Sequence, residues 1–124
     1  MTSRMLLCGM LVLLALPVGT RTGERLAMRV SPAVSMAPAD LIVQMTIESS
    51  ASNRAIEIIA ESDDFYRSSE VPLDGANAPR STRMSFRSLP GGVYIVRAVL
   101  KGANEQLLAQ TRQEISVVAG ARER

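Results

Sequence analysis

Leu89-Pro90-Gly91-Gly92-Val93-Tyr94-Ile95-Val96-Arg97-Ala98-Val99-Leu100 is the stretch whose reading decides the fold. Its Pro-Gly-Gly segment is turn chemistry, because proline presets one backbone angle and glycine reaches conformations closed to other residues. Beyond the turn, Tyr94, Val96, Ala98 and Leu100 fall on one side of an extended chain. That period of two, rich in β-branched residues, predicts a strand with one buried face. A tight turn thus delivers a tyrosine into the mouth of a strand.

The same rhythm continues outward in both directions. Ser81–Arg87 reads as a strand with Thr82, Met84 and Phe86 inward and its arginines outward. Lys101–Glu105 is a hairpin turn, and the last strand runs from Leu107 to Val118, with Ile115 and Val117 in the core. Leu41–Glu48 alternates most clearly, with Leu41, Val43, Met45 and Ile47 on one face and Gln44, Thr46 and Glu48 on the other. Ser49–Asn53 is a loop of turn-forming residues. Ala55–Glu61 places Ile56, Ile58 and Ala60 inward and Glu57 and Glu61 outward, with Ile59 on the outer face. Phe65–Ser69 is a short strand, and Val71–Arg80 is irregular because it contains Pro72, Asp74-Gly75, Asn77 and Pro79. Leu26–Val30 is a short first strand. Ala33–Met36, bracketed by Pro32 and Pro38, reads as a kinked edge strand, since prolines are confined to edges, bulges and strand starts.

About seven strands at short spacing, without a helix, predict an all-β sandwich. Leu89, Gly92 and Tyr94 carry a resemblance as well. They are similar to the tyrosine corner of immunoglobulin-like and fibronectin type III-like β-sandwiches, where a phenol at the start of a strand bonds back to nearby backbone. The resemblance implies a seven-stranded sandwich over residues 26–118 with a structural role for Tyr94. Val96 stands where antibody-type domains carry a cysteine, and tryptophan is absent. The pattern therefore favours the disulfide-free fibronectin-like or bacterial immunoglobulin-like relatives.

Arg4 followed by the apolar run Met5–Val18 reads as a secretory signal peptide over residues 1–20. The run is shorter than the roughly 20 residues of a membrane span. An uncleaved anchor is the alternative. Cys8, the one cysteine, lies inside that run, so lipidation there is not expected. Residues 21–25 read as a flexible leader and 119–124 as a polar tail. The expected location is periplasmic or extracellular, and the exported chain has no disulfide.

Histidine is absent and the exported chain has no thiol, which excludes Ser-His-Asp and Cys-His nucleophiles and imidazole or thiolate zinc sites. No glycine-rich phosphate loop leads from a strand into a helix. No enzyme activity, cofactor or metal is expected. Glu61, Asp63 and Asp64 near one turn, with Asp74 in the next loop, offer oxygen ligands of the kind calcium takes. They lack its regular ligand spacing, so ordinary turn chemistry is the plainer reading.

Arg80, Arg83 and Arg87, with Arg97 on the following strand, form either a polyanion-binding stripe on one outer face or a solvated face paired with Glu57, Glu61 and Glu114. Fourteen basic residues against twelve acidic ones is near balance, which argues against nucleic acid. The rings are two Phe and two Tyr: Phe65, Tyr66, Phe86 and Tyr94. With Phe86 and Tyr94 inward and one of the other two buried, at most one ring is left for sugar stacking.

These readings converge on a non-catalytic binding or accessory module whose partner is a protein or envelope component. The alternative is an assembly subunit pairing through an edge strand. The loops expected to carry contacts are Ser49–Asn53, Val71–Arg80 and Lys101–Glu105.

Overall fold

The computed structural model describes residues 25–120. The expected signal peptide, leader and tail lie wholly or mainly outside this range. Eight strands follow one another: β1 (Leu26–Ser31), β2 (Val34–Met36), β3 (Ala39–Ile47), β4 (Ala55–Glu61), β5 (Tyr66–Pro72), β6 (Ser81–Leu89), β7 (Gly92–Lys101) and β8 (Leu107–Val118). Single 3-10 turns occupy Gly75–Asn77 and Ala103–Glu105. The strands form a three-stranded sheet, β1-β3-β6, and a five-stranded sheet, β2-β8-β7-β4-β5. All pairs are antiparallel except β2 with β8.

The inward residues of both sheets meet in one core. Leu41, Val43, Met45 and Ile47 of β3 face Ile56, Ile58 and Ala60 of β4 and Val96, Ala98 and Leu100 of β7, all buried. The alternation that predicted β3, β4 and β7 is the alternation that fills this interior. Ile59 sits on the outer face as expected yet is also buried. Its cross-strand neighbour there is Arg97, whose methylene stem is long enough to cover an apolar side chain.

The count of seven strands is corrected to eight. The proline-bracketed segment is a strand in its own right, and it belongs to the other layer from β1. Pro32 cannot donate to a ladder, so pairing with β3 stops at Ser31 and the chain crosses to β8. β5 also differs from expectation, running through Pro72 instead of ending at Ser69. The Leu73 amide donates to the Arg54 carbonyl. Alternation then turns the Pro72 nitrogen to the free edge, where a missing donor costs nothing.

Side chains stitch the layers together along both open seams. On one side the Gln113 amide, projecting from β8, accepts from the Val30 N–H at 3.0 Å and donates to the Val30 carbonyl at 2.9 Å. This amide acts as a single extra peptide unit along the edge of β1. On the other side Arg67 of β5 donates to the Arg87 carbonyl of β6 at 2.7 Å.

Replacing Gln113 with leucine removes both bonds to Val30. The expected loss in chemical denaturation is about 1–3 kcal/mol, with faster amide exchange at Val30. Unchanged exchange at Val30 would show that the clip contributes nothing.

Candidate functional site

The turn between β6 and β7 builds one end of the sandwich. Tyr94 is fully buried, and its hydroxyl donates to the Pro90 carbonyl at 2.8 Å. A Cβ on Gly91 would lie 3.1 Å from the Ala119 Cα, so the close approach of the chain just past β8 favours glycine there. Phe65 packs edge-on against the Tyr94 ring, with centroids 6.2 Å apart, and the Arg67 guanidinium lies 5.0 Å over Phe65. Burial pushes the Tyr94 phenol above its ordinary pKa. The Ser62 hydroxyl and Arg67 pull the other way, and Asp64 adds to the rise. The cluster is structural: its one hydroxyl is spent on backbone and its rings face inward.

The acidic residues do not converge. Asp63 and Asp64 lie in the turn from β4 to β5, closed by the Ser62 N–H donating to the Phe65 carbonyl. Asp74 lies past the opposite end of β5. Among the described residues no group of three acidic, histidine or cysteine side chains is placed to hold a metal ion.

The arginines are divided between layers, which corrects the single stripe. Arg83 and Arg87 lie on β6 of the three-stranded sheet, and Arg80 immediately precedes that strand. Arg97 lies on β7 of the other sheet and approaches Glu61 at 3.8 Å. Both members of that pair are substantially exposed, so it is worth at most about 1 kcal/mol. Lys101 makes closer contacts, at 3.0 Å with Glu57 and 2.8 Å with Glu105, and the two carboxylates raise its pKa. Of the rings, Phe65 is half-buried and Tyr66 is exposed, which leaves one free ring as expected.

The three loops expected to carry contacts do meet at the other end of the sandwich, and hydrogen bonds to backbone carbonyls join them. The Gly75 N–H donates to the Asn53 carbonyl, the Ser49 hydroxyl to the Ala76 carbonyl, and the Arg54 N–H to the Lys101 carbonyl. Asn53, read from sequence only as part of a turn, is fully buried. Its side-chain amide donates to the Glu48 carbonyl at 3.1 Å and holds the first loop closed. A lone asparagine among loop residues gives no sign of such burial.

One open edge of the five-stranded sheet lies along β8. β2 covers only Ser116–Val118 of the twelve-residue β8. Ser116 donates to the Ala33 carbonyl and Val118 accepts from Ala37, so even-numbered residues of β8 face this edge. By strand alternation the N–H and C=O groups of Gln110, Arg112 and Glu114 point the same way, with no strand hydrogen-bonded to them. Among the described residues no helix is long and apolar enough to cross a membrane.

Comparison with known proteins places the chain by fold. No family model matches the sequence, and no curated protein is significantly similar to it. Solved structures with the same layered all-β arrangement include a superoxide reductase (neelaredoxin) from Ignicoccus hospitalis. It has a TM-score of 0.55 at 15% identity, over 74% of this chain and 79% of that one. The sulfur carrier protein SoxY from Chlorobium limicola f. thiosulfatophilum is similar with a TM-score of 0.54 at 14% identity, over 76% and 79%. A family 76 glycoside hydrolase from a bovine Bacteroides thetaiotaomicron strain has a TM-score of 0.54 at 18% identity. The match covers 74% of this chain and only 20% of the hydrolase. At these identities the likeness concerns the fold alone, and the three names describe unlike activities.

Tyr94→Phe is expected to cost about 0.5–1.5 kcal/mol at neutral pH. Because the folded chain holds the phenol proton more tightly, this contribution is complete below about pH 10 and falls as pH rises beyond it. Lys101 shifts in the same sense, so the gap between wild type and variant carries the test. Denaturation curves should show that gap narrowing above pH 10; a gap constant to pH 11 refutes the assignment.

Proposed function

We propose that this chain is an exported, non-catalytic interaction module of immunoglobulin-like or fibronectin type III-like form, binding an extended segment of a protein partner along β8. The carrying observation is the row of open backbone groups at Gln110, Arg112 and Glu114 beside a strand that β2 leaves mostly uncovered. Backbone hydrogen bonds along such an edge give affinity, and alternate side chains give selectivity. Here the outward side chains of the edge are an amide, a cation and a carboxylate, suited to a polar segment with charges of both signs.

The immunoglobulin-like assignment is supported by the division of the first strands between layers and by the bond from the Tyr94 hydroxyl to Pro90. The apolar run Met5–Val18 supports export. The absence of histidine, with the one cysteine at Cys8, supports a role other than nucleophilic or thiolate chemistry.

Arg112→Pro tests the reading, because it deletes an N–H that faces the open edge and spares the ladder to β7. Affinity capture from the exporting cell should recover a defined partner with wild type and lose it with Arg112→Pro, while the variant still melts cooperatively. No specific partner with wild type, or equal recovery with both, rejects binding at this edge.

A further inference from the structure

The end of the five-stranded sheet carries a second, apolar feature separate from the β8 edge. Val34 and Met36 of β2 are 66% and 60% exposed, Val93 of β7 is 57% exposed, and Val118 of β8 is 50% exposed. These are four of the seven large apolar side chains left exposed among the described residues, and register gathers them at one corner. Val34 lies beside Ser116, which lies beside Val93, and Met36 lies beside Val118. Contiguous apolar patches of a few hundred Å² commonly mark interaction sites.

The backbone beside the patch is also open. Ala33 and Ala37 bond to β8, so Val34 and Met36 turn their N–H and C=O groups to the free side of β2. Pro32 and Pro38 fall in the same phase and present no N–H. The edge therefore offers two donors and no more, a strand three residues long.

We propose that this corner is where a second copy of the chain docks, β2 against β2, antiparallel about a two-fold axis beside Ser35. In that arrangement Val34 faces Met36 of the partner copy and Met36 faces its Val34. The four edge groups on each side are then all paired, and two five-stranded sheets continue into one. Two observations favour a second copy over another occupant. The edge is matched in length only by a strand equally short, which β2 is. Val34, Ser35, Met36, Val93, Ser116 and Val118 carry no charge, so joining two such corners strands no ion.

A contact of two three-residue strands and a few apolar side chains is small beside the roughly 800 Å² per partner of a standard interface, so the dimer is weak, with a dissociation constant on the order of 0.1–1 mM. Sedimentation equilibrium of the exported protein up to about that concentration should show a monomer–dimer equilibrium. Val34→Lys and Met36→Glu should each weaken it at least tenfold. The double variant, which sets lysine opposite glutamate twice, should restore it. Leu107→Lys, at the far end of β8, should leave it unchanged. A strict monomer at 1 mM, association that persists in both single variants, or failure of the double variant to restore it each overturns the proposal. Arg112→Pro leaves β2 intact and is expected to dimerise, so loss of partner binding and loss of dimerisation are read separately.

Discussion

The buried phenol of Tyr94 is the interaction on which the layered structure depends. It sits where the chain leaves the three-stranded sheet through Pro90-Gly91-Gly92 and enters the five-stranded one, and its hydroxyl holds that crossing to the Pro90 carbonyl. A ring of this size, wholly removed from water, contributes through area as well as through its hydrogen bond. Phe65 and Arg67 build outward from it, and Arg67 reaches the backbone of β6. One residue thereby orients the crossing, the entry to β5 and a seam between layers. Without a cysteine in the described residues, apolar burial and hydrogen bonding must close the sandwich.

The two seams are closed by the same device, a long polar side chain bonded to backbone of the opposite layer. Gln113 serves the seam between β8 and β1, and Arg67 the seam between β5 and β6. Edge strands expose unpaired peptide groups, and folded proteins blunt them to avoid indiscriminate pairing. Gln113 blunts β1 at Val30, Pro72 blunts β5, and Pro32 and Pro38 limit β2. The middle of β8 is left open, as are two donors of β2.

Charge follows the layers. The outer face of the three-stranded sheet carries Arg29, Arg83 and Arg87 with Asp40 as its acid, while the other sheet intermixes Arg97, Lys101 and Arg112 with Glu57, Glu61 and Glu114. The pairs of Arg97 with Glu61 and Lys101 with Glu57 are those of a solvated, cross-linked sheet face. The loop end is knitted by hydrogen bonds around the buried Asn53, whose amide holds the Glu48 carbonyl.

Much of this was legible in the residues. Period-two alternation identified β3, β4, β6 and β7 and their inward residues, because a strand half in water must alternate, and β8 was placed with Ile115 and Val117 in the core. The Pro-Gly-Gly turn and Tyr94 announced the crossing for an equally local reason. What the alternation could not carry was sheet membership. Whether Arg83 and Arg97 share a face, whether Ala33–Met36 continues β1 or joins β8, and which edges stay open all depend on hydrogen bonds between segments distant in the chain. Those bonds use the same backbone groups at every residue and leave no trace in side-chain order. Most of the strands and their wet and dry faces were therefore determined by the sequence alone, while the extent of β5 and the burial of Ile59 were not. The partition into layers, the burial of Asn53, the Gln113 clip and the apolar corner at Val34 and Met36 were decided only when backbone pairing brought remote segments together.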